Sequence, residues 1–215
     1  MTLRRLHSSG ARPDGPTARE SVDDGVYPVR EDSLLLLPFA RVVPGTTLLE
    51  VGAGKGAASL EAARHGARTV ATDLNRRALE GLRACAGTER LRLEVVRTDL
   101  ARGLGRFDRI LANPPYLPTR PEERDPDPGH NLALDGGTDG CAVTARLAES
   151  LADHLNAEGD ALVVVSSLQS AVGLAAIDAT WKRSGGRRDV VAERWLEGEQ
   201  LRVWRFQRGR GPDDA

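Results

Sequence analysis

Val190–Trp195 and Gln200–Gln207 read as two strands near the end of the chain, with only Leu196-Glu197-Gly198-Glu199 between them. Four residues cannot carry a helical crossover, so these runs must pair as an antiparallel hairpin. The rest of the chain obeys the opposite rule. Thr46–Val51, Ala67–Thr72, Leu91–Arg97, Phe107–Ala112 and Ala161–Ser166 read as short buried strands. Helical patterns separate most of them: Gly56–His65, Arg76–Cys85, Cys141–Leu155 and Gln169–Arg183. Strands that alternate with helices build a parallel sheet. Together the two rules predict an α/β chain, doubly wound, whose seven-stranded, mostly parallel sheet ends in a C-terminal antiparallel hairpin.

Composition narrows the setting. The 215 residues suit one α/β domain and are short for two. Residues 1–25, rich in Gly, Ser, Pro, Arg and Asp, predict a disordered arm; 26–208 predict a single domain, and 209–215 a flexible tail. Glu31–Val43 predicts one short helix that stops at Pro44-Gly45. A formal net charge of −1 and a pI of about 6.4 remove any global electrostatic case for nucleic acid or anionic membrane. No apolar run approaches the roughly 18 residues of a membrane span, and no apolar h-region follows the first arginines. Cys85 and Cys141 stand outside any metal-ligand or CxxC spacing and read as buried free thiols. No metal is expected, and a cytoplasmic location is.

Chemistry concentrates at the carboxyl ends of the strands, where open α/β sheets bind ligands. Asn113-Pro114-Pro115-Tyr116 follows Phe107–Ala112. Its two prolines end the strand and donate no backbone hydrogen bond. What remains is rich in acceptors, namely the Asn113 side-chain oxygen and nearby carbonyls, beside an aromatic ring. Such a cluster suits a planar group bearing –NH2. Alone, the tetrapeptide also reads as an ordinary proline-rich loop.

Glu50-Val51-Gly52-Ala53-Gly54-Lys55-Gly56 joins the first strand to its helix, and its glycines let a ligand approach the main chain. Neither GxxxxGK[ST] nor GxGxxG fits this spacing, which disfavours a P-loop or a dinucleotide site; Lys55 reads as an exposed loop residue. Asp73 ends the second strand and suits either a ribose diol or a helix cap near Asn75. Asp99 ends the third, as an acceptor for an adenine amino group or as a turn residue. The loop Leu117–Gly136 is too long to lack a use and predicts a substrate-facing role. His130 within it reads as an exposed loop histidine rather than a base.

In this order and spacing, Glu50-x-Gly52-x-Gly54-x-Gly56, Asp73, Asp99 and Asn113-Pro114-Pro115-Tyr116 resemble a class I S-adenosylmethionine-dependent methyltransferase, a Rossmann-like fold, over roughly residues 26–207. Tyr27-Pro28-x-x-Glu31-Asp32-Ser33 and Ala133-Leu134-Asp135-Gly136-Gly137-Thr138-Asp139-Gly140 are similar to segments of the release-factor glutamine methyltransferases. The resemblance implies that Gly52, Gly54 and Gly56 hold the methionyl part of S-adenosylmethionine, Asp73 its ribose and Asp99 its adenine, with Glu50 and Asn113 also among the cofactor-binding residues. It implies that Asn113 and the Pro114 carbonyl grip the target nitrogen beside the cofactor, while Pro115 and Tyr116 face the substrate. Glu31 and Asp32 would close over the cofactor. About 45 residues precede the first strand, as in the short archaeal and eukaryotic form, which works with a small zinc-binding activator subunit. The expected reaction is N-methylation of a glutamine amide in a protein such as a peptide chain release factor. The alternatives are an adenine-amino DNA or RNA methyltransferase, a small-molecule or protein lysine/arginine N-methyltransferase, and a non-catalytic cofactor-binding scaffold.

Overall fold

The structure, a computed structural model, describes residues 26–209; the arm expected over residues 1–25 and all but the first residue of the expected tail lie outside the described residues. The strands are β1 (Thr47–Val51), β2 (Arg68–Asp73), β3 (Leu93–Arg97), β4 (Phe107–Ala112), β5 (Leu155–Ser166), β6 (Arg187–Leu196) and β7 (Glu199–Gln207). The helices are α1 (Glu31–Leu34), α2 (Leu37–Ala40), α3 (Ala57–Arg64), α4 (Arg76–Glu89), α5 (Pro128–Leu134), α6 (Ala142–His154) and α7 (Ala171–Arg183). One seven-stranded sheet has the order β3-β2-β1-β4-β5-β7-β6. Strands β1 to β5 pair in parallel, and β7 runs antiparallel to both β5 and β6.

Apolar side chains leave the central strands toward both faces. Leu49, Ile110 and Val163 pack with α6 and α7, whereas Leu48, Leu111 and Leu162 pack with α2 and α3. Burial on both faces is why Ile110–Ala112 of β4 and Ala161–Val165 of β5 are unbroken apolar runs in the sequence. Trp181 of α7 meets Phe206 of β7 edge-on, with ring centroids 5.4 Å apart, and clamps the hairpin to the sheet. Such a pair contributes about 0.5–1.5 kcal/mol beyond its burial.

Several boundaries differ from the sequence expectation. Pro38 divides the helix expected over Glu31–Val43 into α1 and α2, because it has no N–H to carry the first helix onward. Helix α4 continues past Cys85 to Glu89, which leaves Cys85 exposed and only Cys141 buried. Strand β5 starts at Leu155, not Ala161. Its pairing jumps from Phe107↔Leu155 to Arg109↔Asp160, so Asn156–Gly159 bulges out while the strand continues. A Cβ at Gly159 would lie 2.9 Å from the Phe107 carbonyl oxygen, so only glycine fits this approach. The long loop holds a 3-10 turn, Pro121–Glu123, and α5, whose start is capped by Asp127 accepting the Gly129 N–H at 2.8 Å.

Strand order reverses between β1 and β4, which makes their carboxyl ends the crevice of the sheet. Val51 is in register with Ala112 and Thr72. Gly52, Asn113 and Asp73 therefore leave three adjacent strands at one level.

Candidate active site

A cavity of about 1070 Å³ opens at that level. The Glu50–Gly56 segment, Asp73, Asp99 and the tetrapeptide Asn113–Tyr116 all line it. Glu31 and Asp32 line it as well. Every site residue singled out in the sequence thus meets in one place, at or above the upper end of the usual ligand-pocket range of about 300–1,000 Å³.

The glycine half is built from main chain. Gly52 and Gly54 have φ of +66° and +55°, and a Cβ at either would meet nothing within 4 Å, so the backbone there is bare. Gly56 serves packing instead: a Cβ would run into the Leu82 side chain of α4. Asp73 braces the loop, its Oδ2 accepting the Gly54 N–H at 2.8 Å and its Oδ1 the Asn75 N–H at 2.7 Å. The cap of α4 is Asn75, which accepts the Arg77 N–H at 3.0 Å, so Asp73 is not needed for it. Each Asp73 oxygen keeps a further lone pair. Glu50 lies buried beneath, accepting the Ser59 N–H at 2.7 Å and the Ser59 hydroxyl, and so ties β1 to the first turn of α3. Burial pushes its pKa up to about 7, against the Ser59 hydrogen bonds, which lower it. Asp99 pairs with Arg146 of α6, a cavity-lining residue that sequence reasoning missed; no local spacing links residues 47 apart.

The tetrapeptide half is built from side chains. Asn113 donates from Nδ2 to the Ser33 Oγ at 3.4 Å, but its Oδ1 is buried without a partner among the described residues. A buried acceptor left unsatisfied costs about 1–3 kcal/mol, and such groups are found where a ligand completes them. Tyr116 and Tyr27 both donate their hydroxyls to Asp32 Oδ2, each at 3.3 Å. Burial first, and then the Asp32 charge, push both phenol pKa values far up, so both remain donors.

Residues 24–125 match the family described as Methyltransferase small domain. The release factor glutamine methyltransferase of Mycolicibacterium smegmatis is 33% identical over 205 residues, which cover 89% of this chain and 70% of that protein. The chain belongs to this methyltransferase family. A Methanocaldococcus jannaschii protein, whose name assigns it protein N5-glutamine methylation, is 37% identical over 145 residues, 66% of this chain and 73% of that one. The fold is shared with the solved E. cuniculi Mtq2-Trm112 complex, which is responsible for methylation of the eRF1 translation termination factor. The TM-score is 0.66 at 23% identity, over 86% of this chain and 99% of that chain.

In this methyltransferase the Gly136–Gly140 segment is a buttress. The Gly136 N–H donates to the Leu117 carbonyl at 3.0 Å, and Gly140 crosses so near the Tyr116 carbonyl that a Cβ would strike that oxygen. Gln169 donates to the Gly140 carbonyl at 2.8 Å and to Thr144 Oγ1 at 3.1 Å while accepting the Ser166 N–H at 2.9 Å. These contacts fix the backbone behind Tyr116. His130 is not an exposed loop residue: it sits in α5, its side chain 25% exposed, with Nδ1 3.1 Å from Asp125 Oδ2. Unlike its neighbours Gly129 and Asn131, it does not line the cavity.

Proposed function

We propose that this methyltransferase transfers a methyl group from S-adenosylmethionine to a glutamine side-chain amide, with a peptide chain release factor as the substrate. One observation carries the reading: the buried Asn113 oxygen, without a partner among the described residues and beside Pro114, Pro115 and Tyr116, shares a cavity with the bare glycine backbone braced by Asp73. The residues fit that cofactor. Gly52 and Gly54 leave main chain open for its methionyl part, Asp73 retains lone pairs for ribose hydroxyls, and Asp99 offers a carboxylate for the adenine amino group. When bound, S-adenosylmethionine supplies a methyl group that is already activated.

The chain's own task is alignment, which is worth up to about 7–11 kcal/mol of a barrier. Asn113 Oδ1 and the Pro114 carbonyl accept the two hydrogens of the substrate –NH2. An amide nitrogen is a poor nucleophile because its lone pair is delocalised; these acceptors stabilise the positive charge that grows on it during attack. Pro115 and Tyr116 pack against the substrate. The proton becomes acidic only after the new bond forms, so no dedicated base is required, in keeping with His130 standing outside the cavity.

The names of the relatives support a release factor as substrate, and hence action in the cytoplasm where termination occurs. The Trm112 chain in the solved complex supports a small activator subunit, zinc-binding by the family resemblance. An adenine substrate is disfavoured by the balanced charge of the chain. The test is labelled-methyl transfer to a purified release factor with an intact Gly-Gly-Gln loop, alone and with a candidate activator, beside a Gln→Ala control. Label in the intact factor alone is expected; label that ignores that glutamine overturns the substrate.

A further inference from the structure

We infer that Asp32 and Ser33 are positioning residues that fix which way round the Asn113 amide stands, through a hydrogen-bond chain running in one direction only. This deepens, and rests on, the function proposed above.

The two ends of an asparagine amide have nearly the same shape, so a flip exchanges an acceptor for a donor with little steric cost. At this position the flip is decisive. A reversed Asn113 would set its own NH2 against the incoming NH2, donor against donor, and the grip on the substrate nitrogen would be lost. The contacts of Asn113 show what prevents this. Its Nδ2 donates to the Ser33 Oγ at 3.4 Å, and the Ser33 hydroxyl donates to Asp32 Oδ1 at 3.4 Å.

Asp32 gives that chain its direction. A carboxylate only accepts. Four donors converge on this one: the Ser33 N–H at 2.7 Å and the Ser33 hydroxyl on Oδ1, and the Tyr27 and Tyr116 hydroxyls on Oδ2. The Ser33 proton is therefore committed toward Asp32, and only Ser33 lone pairs are left to face Asn113. Those can receive an Nδ2 hydrogen and have nothing to offer Oδ1, which stays the free acceptor. The same carboxylate holds Tyr116, so one side chain, 4% exposed and 84 residues earlier in the chain than that tyrosine, steadies both ends of the tetrapeptide. A carboxylate this buried is costly unless its oxygens are fully engaged, and here they are.

The side-chain NH2 resonances of Asn113, identified by their loss in Asn113→Ala, report the flip without any turnover. Ser33→Ala and Asp32→Asn should each move that pair, whereas Ser33→Thr, which keeps the hydroxyl, should leave it in place. In methyl transfer to the release factor, Ser33→Ala should lower kcat by about tenfold to hundredfold with cofactor affinity unchanged, and Ser33→Thr should restore it. Combining Ser33→Ala with Asp32→Asn should lower kcat no further than the worse single change, because both break one chain. Unmoved Asn113 resonances in Ser33→Ala overturn the inference. So does a loss of rate that Ser33→Thr shares, or one that tracks a fall in thermal stability. Should Asp32→Asn fail to fold, the two Ser33 variants decide alone. If the unaltered chain methylates no glutamine, the proposed function falls, while the resonances still decide the orientation of Asn113.

Discussion

The glycine half of the cavity is complete in itself, and the tetrapeptide half is not. Around Gly52, Gly54 and Asp73, backbone amides meet a carboxylate at 2.7 and 2.8 Å, and the longer of these reaches spans 19 residues. Around Asn113, one amide oxygen has no partner among the described residues, and the nitrogen depends on a serine 80 residues away. A site can hold a cofactor with main chain that any fold of this class provides. Selecting a nitrogen takes side chains whose own hydrogen bonds come from elsewhere. Binding and transfer should therefore come apart under mutation.

The largest effect expected is that of Asn113→Ala, which should lower the transfer rate by about 10²–10³ while cofactor affinity by calorimetry stays nearly constant. Asp73→Ala should do the reverse, weakening cofactor binding by about tenfold or more, the weight of a hydrogen bond to a charged group. Equal loss of affinity in both variants would erase the distinction between the halves. Gly56→Ala tests the glycine half further: it should destabilise the fold by about 1–3 kcal/mol by thermal melting, from the clash with Leu82 at a positive φ. Gly52→Ala, with open space around its Cβ, should cost less stability and more cofactor affinity.

Glu50 gives a pH signature to the floor beneath both halves. The native state keeps its proton up to about pH 7, whereas the unfolded chain releases it near the ordinary value of 4.5. Between those values the folded state binds more protons, so this group's contribution to stability falls as pH rises. Glu50→Gln should flatten that fall in melting curves from pH 5 to pH 8; an unchanged slope would place the effect elsewhere. The smallest effect expected is that of Arg146→Ala. Its pair with Asp99 is partly solvated, so stability should change by about 1 kcal/mol at most and cofactor affinity by less than about fivefold. A larger loss would move Arg146 into the binding machinery proper.

The parts of this molecule that were legible in its sequence are those set by local rules. The four-residue link forced the hairpin, strand–helix alternation gave the parallel sheet, and the carboxyl ends of the strands pointed to Gly52, Asp73 and Asn113. Strand β5 was misread at its start because Asn156 and Gly159 look like a turn, yet they form a bulge that only the neighbouring β4 can stabilise. Helix α5 was hidden because its cap, Asp127, and its proline lie in a stretch otherwise rich in loop residues. The Asp32–Ser33–Asn113 chain and the Arg146–Asp99 pair could not be seen, since each joins segments that only the tertiary fold brings together. Gln169 is the sharpest case: nothing around it in sequence marks a side chain that ties Gly140, Thr144 and Ser166 together.

One tryptophan gives the molecule an optical handle. Trp181 and Trp204 are buried, whereas Trp195 is 74% exposed at the tip of the hairpin, next to Leu196 and the Glu197–Glu199 turn that line the cavity mouth. Its emission should be readily quenched by iodide in the free protein and become shielded when a protein substrate settles over that mouth. The arrival of substrate can thus be timed without a label, separately from the methyl transfer that follows.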